Sequence, residues 1–251
     1  MNVGFSALRL LPFWVRRDVV SRYSQTLGGW AWAVAQPVAY TAGLVFLVRR
    51  VGGGTGMGLP YPAFVYPATV VWFLFANSTI GAVNGLAASM PIAAKVAFPR
   101  LVPAVSGSLT PVIDFGVGTA LIPLVLRAQG VTGWPRPGYF LASIGVVTLA
   151  VGMGALLGAA AVFIRDVRNV LPFVLQIALL ATPVAYGAEQ LPGWLAWSPM
   201  ATFIAGARSS VLGISGPALN EWMVAFGLTA AVLATGLWYA SSVAHRFADV
   251  S

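Results

Sequence analysis

Long apolar runs, separated by short polar or Gly- and Pro-rich stretches, dominate the sequence. Several runs are free of charge over the roughly 20 residues that a membrane-crossing helix needs. The pattern predicts six spanning helices, with approximate ranges 30–48, 61–86, 101–126, 138–164, 170–187 and 222–244. The fold class expected from it is an all-α polytopic membrane protein, formed as one transmembrane domain over residues 1–251.

The first stretch outside the predicted spans is residues 5–24. Its apolar residues recur at helical spacing, while Arg9 and Arg16 fall to one side. This spacing is typical of an amphipathic helix that lies along the membrane surface. The alternative interpretation is a plain cationic tail that precedes the first span.

Two further stretches are interrupted too often to cross the membrane. Residues 87–100 contain Pro91, Pro99 and the single lysine, which indicates a short cytoplasmic helix. Residues 188–217 are apolar, but prolines and glycines divide them into halves too short to span the bilayer. We expect a pair of re-entrant helices there, because non-helical backbone is tolerated at membrane depth where protein or water covers it.

Composition supports the membrane assignment. Hydrophobic residues make up 59% of the 251 positions and charged residues only 8%, and the mean hydropathy is +0.85. An ordinary soluble domain carries about 25% charged residues, so this exterior is expected to face lipid. The net charge of +8 is expected to meet anionic membrane lipid and not nucleic acid.

The distribution of positive charge predicts the orientation. If the N-terminus is inside, the cytoplasmic side holds nine Lys and Arg residues and the other side holds five. Cytoplasmic loops carry the excess of positive charge, so both termini are predicted to be cytoplasmic. The external five are Arg49, Arg50, Arg127, Arg136 and Arg208.

Candidate chemistry within the chain is sparse, and we expect no enzymatic activity, metal site or cofactor. There is no cysteine and only one histidine. The Gly-rich run Gly52–Gly58 lacks the Gly-Lys-Ser/Thr ending of a phosphate-binding loop, so any ATP and Mg would bind to a partner chain. Asp114 is the only acid well inside a predicted span. It is either a carboxylate satisfied within the bundle or the coupling group of an ion-driven carrier.

Several motifs, taken in order, carry a family resemblance. They are the segment Arg17–Gly28 before a Trp-rich helix with Gln36-Pro37, Phe98-Pro-Arg100, Phe163–Asn169, Thr182–Tyr186 and the Pro-bracketed Trp segment. In this order and spacing the chain resembles the permease subunits of ABC-2 type exporters of lipid-linked polysaccharides, the O-antigen and teichoic-acid export group.

The resemblance implies a homodimer in the bacterial cytoplasmic membrane that works with two separate ATPase subunits. It also implies that the N-terminal helix, the first cytoplasmic loop and the second cytoplasmic turn contact the ATPase. The alternative is that the charged residues of these regions lie at the lipid headgroups and set the topology of the chain. The residues that match these three regions are Arg17, Asp18, Arg22 and Tyr23, then Lys95, Phe98, Pro99 and Arg100, and then Arg165, Asp166 and Arg168.

A path for a sugar polymer should combine aromatic rings, which pack on the C–H faces of sugars, with neutral hydrogen-bonding groups. The alternative is an aromatic belt at the membrane interfaces. Two other functions compete with this one: export of drugs or lipids by a protein of the same fold, and a purely structural role as a membrane scaffold. The candidate path residues are Trp32, Gln36, Tyr40, Phe173, Gln176, Tyr186, Trp194 and Trp197.

Overall fold

A computed structural model describes residues 3–24, 31–50, 55–56, 58–93, 101–164 and 166–243. Ten α-helices make up most of this part of the chain. They are α1 (Val3–Ser24), α2 (Ala31–Arg50), α3 (Tyr61–Ala93), α4 (Val102–Leu109), α5 (Val112–Ala128), α6 (Pro137–Phe163), α7 (Asp166–Ala181), α8 (Gly193–Ala196), α9 (Pro199–Leu212) and α10 (Leu219–Val243).

Five helical stretches within the described residues are long and apolar enough to cross a membrane. They are Ala31–Arg50, Tyr61–Ser89, Val102–Ala128, Pro137–Phe163 and Leu219–Val243. These stretches overlap five of the six predicted ranges. The prediction of an all-α polytopic membrane protein is therefore confirmed in this coarser form.

The core of the bundle lies between α3 and α6, which pack against each other along much of their length. Helices α4, α5 and α9 also pack on α3, and α9 and α10 pack on α6. Glycines on α6 allow its neighbours to approach closely. A side chain at Gly152 would meet the backbone of α10, and one at Gly154 would meet Ala82 of α3.

Two helix pairs approach so closely that backbone touches backbone. A Cβ atom at Gly81 of α3 would collide with the carbonyl oxygen of Gly107 on α4, and the reverse also holds. Gly236 of α10 has the same relation to the carbonyl oxygen of Gly152. These crossings therefore require residues without a side chain.

The predicted third span, 101–126, is interrupted. It consists of α4 and α5, and Thr110 and Pro111 lie between them. Pro111 has no N–H to donate to the carbonyl of Gly107, so the helical ladder stops there. A new helix starts directly afterwards, with the N–H of Phe115 donating to the carbonyl of Pro111 at 2.9 Å.

The predicted fifth span, 170–187, is wrong at both ends. Helix α7 starts at Asp166 and ends at Ala181, so it has 16 residues. At 1.5 Å per residue it is about 24 Å long, which is short of the roughly 30 Å hydrocarbon core. Pro183 explains the end, because proline disfavours a helical conformation in the residue before it.

The predicted re-entrant region 188–217 contains unequal pieces. A 3₁₀ turn at Ala188–Gln190 and the one-turn helix α8 precede α9, which has 14 residues. Most side chains of α9 are buried against α3, α6 and α10. The region is therefore one buried helix with a short irregular lead, and not two similar halves.

Residues 87–93, predicted as the start of a separate cytoplasmic helix, instead continue α3 to Ala93. Residues 94–100 lie outside the described part of the chain. Before α3, a small hairpin pairs Thr55–Gly56 (β1) antiparallel with Leu59–Pro60 (β2). Gly58 supplies the positive φ of 77° that this turn needs.

Candidate functional site

The predicted path residues on α2 face different surroundings. Trp32 is 65% exposed. Gln36 is half-buried, and its Oε1 accepts a hydrogen bond from Nδ2 of Asn77 on α3 at 3.3 Å. Tyr40 packs edge-on against Phe73 of α3, with ring centroids 4.8 Å apart. Gln36 and Tyr40 therefore help to dock α2 on α3.

Asp114 lies at the same junction of α2, α3 and α5. It is in the first turn of α5, beside the break after α4. Together with Gln36 and Asn77 it lines a cavity of about 20 Å³, enough for a single water molecule. The arrangement fits the interpretation of Asp114 as a carboxylate held within the bundle.

The path residues on α7 are not joined to those on α2. Phe173 is 63% exposed, and Gln176 is also exposed. Helix α7 packs on α3 and α6, whereas α2 packs on α3 and α5. The exposed members of the two sets, Trp32 on α2 and Phe173 and Gln176 on α7, thus lie on separate outer surfaces of the described bundle.

The remaining path residues follow α7. The Tyr186 hydroxyl donates a hydrogen bond to the carbonyl of Leu180 at 3.2 Å. Trp197 is exposed. The side chain of Trp194 lies outside the described part of the structure.

Sequence reasoning missed the most elaborate polar site of the described chain, which is centred on Arg208 of α9. This side chain is only 3% exposed. Its guanidinium donates to four backbone carbonyls and lies 3.8 Å from the ring centre of Phe64. The four acceptors are the carbonyls of Phe64, Pro183, Val184 and Tyr186, at 3.1, 2.7, 2.8 and 3.2 Å.

The Arg208 site holds the irregular segment after α7 against the start of α3. The hydroxyl of Tyr61 adds a further bond to the carbonyl of Ala185, at 2.9 Å. Burial lowers the pKa of Arg208 to about 9, and Glu189 partly offsets this, so the side chain remains charged at neutral pH. The available signal was a lone charge in the middle of an apolar stretch, which is expensive unless it has a structural or functional role.

The predicted ATPase-contacting residues on α1 form a junction with α4. Asp18 accepts two hydrogen bonds from Arg17, at 2.8 and 3.0 Å, and one from the Ser106 hydroxyl of α4, at 2.7 Å. The Arg17 guanidinium also lies 3.8 Å from the ring centre of Trp14, which is buried. These contacts tie α1 to the helix that follows the predicted cytoplasmic loop.

The other predicted ATPase contacts are only partly described. Arg22 and Tyr23 belong to the last turn of α1, but their side chains are outside the described part. Asp166 and Arg168 lie in the first turn of α7, and both are exposed. Lys95, Phe98, Pro99, Arg100 and Arg165 fall outside the described residues.

These features define the class of the protein as a multi-pass, all-helical membrane protein. No family model matches the chain. Similarity to curated proteins extends over almost all of its length. An O-antigen export system permease protein RfbA of Klebsiella pneumoniae is 24% identical over 260 residues, covering 99% of this chain and 97% of the relative. A protein of the same name from Myxococcus xanthus is 25% identical over 244 residues, covering 93% and 90%. The resemblance to O-antigen export permeases of the ABC-2 type is therefore confirmed.

Proposed function

We propose that this chain is the membrane permease subunit of an ATP-driven exporter that moves a lipid-linked O-antigen polysaccharide out of the cytoplasm. The observation that carries this proposal is the end-to-end similarity to O-antigen export permeases. It agrees with a chain that has five long apolar helices. ATP and Mg would bind to a separate ATPase chain, and this subunit would perform no chemical step. No observation favours export of drugs or lipids instead.

The geometry of the single chain supports a homodimer working with two ATPase subunits. The bundle is filled by the packed core between α3 and α6, which leaves no room for a polymer inside one copy. The exposed aromatic and amide side chains of α2 and α7, such as Trp32, Phe173 and Gln176, are candidates for the wall of a path between two copies. In that arrangement, α7 with the turn after it would form the sixth crossing.

The junction between α1 and α4 supports a coupling role for the predicted cytoplasmic surface. Segment 94–100, which connects α3 to α4 in sequence, lies outside the described residues. Because Asp18 binds Ser106, a movement of α1 or of that segment would act on the same helix. With both termini in the cytoplasm of a bacterial cell, this junction lies on the side where ATP is hydrolysed.

We expect Asp18→Ala to loosen α1 from α4. The substitution removes the acceptor for Ser106, and a hydrogen bond to a charged group contributes about 1.5–3 kcal/mol. The chain has no cysteine, so two introduced cysteines, at Val20 on α1 and Leu109 on α4, would carry the only spin labels. The distance distribution between them should broaden in Asp18→Ala.

Ser106→Ala should broaden that distribution to a similar degree, because it removes the other partner of the same hydrogen bond. Arg16→Ala is the matched control, since Arg16 is exposed and lies two positions from Asp18. A distribution as narrow in Asp18→Ala as in the wild type would show that this bond does not hold the junction.

Export is tested by deleting the gene in its host and restoring it on a plasmid. We expect the deletion to abolish surface O-antigen while the lipid-linked polymer accumulates inside the cell. The readouts are immunoblotting of surface glycan and extraction of the lipid-linked precursor. Unchanged surface glycan in the deletion strain, with no internal accumulation, would contradict the proposed function.

A further inference from the structure

A cavity of about 290 Å³ lies between α9, the 3₁₀ turn at Ala188–Gln190 and the loop that joins α9 to α10. Its volume is close to the lower limit of about 300 Å³ for small-ligand pockets. The first turn of α10 contributes Glu221 to the wall, and the buried Arg208 forms part of the base. Four separate elements thus bring polar side chains to one space.

Hydrogen-bonding capacity in this cavity is left unused. Thr202 is only 8% exposed and lines the cavity, yet its hydroxyl has no hydrogen bond to any described residue. The Glu189 carboxylate accepts no hydrogen bond from the described chain either. Glu221 accepts one, from the Ala218 N–H at 2.8 Å, through Oε2. A hydroxyl that has no partner in the described chain and remains accessible from the cavity can bind a ligand or an ordered water there.

Charge narrows the chemistry of the ligand. Two carboxylates and one guanidinium give the cavity wall a formal charge of −1, and Arg208 spends four donors on backbone carbonyls. The lining is therefore richer in acceptors than in free donors, and it disfavours an anionic ligand. A neutral ligand with several hydroxyl donors matches such a lining, because each hydroxyl can donate to a carboxylate oxygen.

We infer that this cavity is a binding site for one neutral sugar unit, with Glu189 and Thr202 as its main contacts. The inference rests on the proposed function, in which a polysaccharide is the cargo. Arg208 bonds to Phe64 near the start of α3, whereas α4 crosses α3 near Gly81 and Gly85. The cavity is thus at the opposite end of the bundle from α1, and the sugar site lies on the exit side.

The test uses the purified full chain in lipid nanodiscs, titrated with glucose, galactose, mannose and rhamnose by saturation-transfer difference NMR. We expect at least one sugar to bind in the millimolar range. Glu189→Gln and Thr202→Val should each weaken that binding at least five-fold. Gln190→Ala is the matched control, because Gln190 is exposed and adjacent to Glu189 but does not line the cavity; its affinity should equal that of the wild type.

The melting temperature of each variant shows whether it has kept the fold of the wild type. Glu189 is exposed, so Glu189→Gln should retain the fold and settles the question even if Thr202→Val is unstable. The inference is overturned if no sugar binds at tens of millimolar, or if Glu189→Gln binds as the wild type does. It is also overturned if calcium ions bind in the cavity and sugars do not, since the cavity would then be a cation site.

The deletion strain separates the failure of this inference from that of the proposed function. A plasmid-borne wild-type gene that restores surface O-antigen, together with a cavity that binds no sugar, contradicts the inference alone. A strain in which the wild-type gene neither restores nor affects surface glycan contradicts the proposed function itself.

Discussion

Replacing Arg208 with Met is expected to destabilise the protein by about 4 kcal/mol or more. Met retains much of the apolar stem but leaves the four carbonyls of the Arg208 site without their donors. Each unsatisfied buried acceptor costs about 1–3 kcal/mol. The measurement is the melting temperature of the purified protein in detergent, which should fall by about 10 °C.

Two further variants test whether the loss of stability comes from the missing hydrogen bonds of Arg208. Arg208→Lys keeps the charge but cannot reproduce the planar fork that reaches several carbonyls at once, so it should fall between Met and the wild type. Arg127→Ala is the matched control, because Arg127 is exposed at the end of α5. If Arg208→Met melts within about 2 °C of the wild type, water has replaced the lost donors and the site is not structural.

The second large effect is expected at the crossing of α3 and α4. In Gly107→Ala the new methyl group would collide with the carbonyl oxygen of Gly81, which is backbone and cannot rotate away. Overpacking of this kind costs about 1–3 kcal/mol, and more where backbone meets backbone. We expect a loss of monodisperse protein in size-exclusion chromatography and a lower melting temperature.

Gly116→Ala on α5 is the matched control. A Cβ atom at Gly116 meets nothing within 4 Å, and the position lies inside a helix. Alanine is favoured over glycine there by about 1 kcal/mol, so this variant should be as stable as the wild type or slightly more stable. Equal melting temperatures for Gly107→Ala and the wild type would show that α3 and α4 do not cross at this point.

The five long apolar stretches could be predicted because each is a run with at most one or two charges, bounded by turn residues or arginines. The helix breaks at Thr110-Pro111 and Thr182-Pro183 were harder to predict. Proline inside an apolar run is compatible with a continuous membrane helix, since neighbouring helices often satisfy the freed backbone groups. Only tertiary packing decides between a kink and a break.

The candidate sites, too, could be predicted only in part from the sequence. The location of Asp18 on the N-terminal helix could be predicted, but its bond to Ser106 joins residues 88 positions apart. Arg208 was counted as one of the external charges, because a residue between two glycine- and proline-containing segments has the local features of a loop. Its burial depends on the distant carbonyls of Phe64 and Pro183, and local spacing contains no signal for that distance.

The two glycine crossings also determine how the bundle can deform. An interface filled by side chains can adapt to a small displacement through changes of rotamer. Where two helix backbones are in direct contact, no side chain is present to adapt in this way. Helix α4 is fixed in this way to α3, and α10 is fixed to α6. We therefore expect a displacement of α1 and α4 to move α3 with them. Relative movement is expected to be easier at α2 and α7, which expose much of their surface.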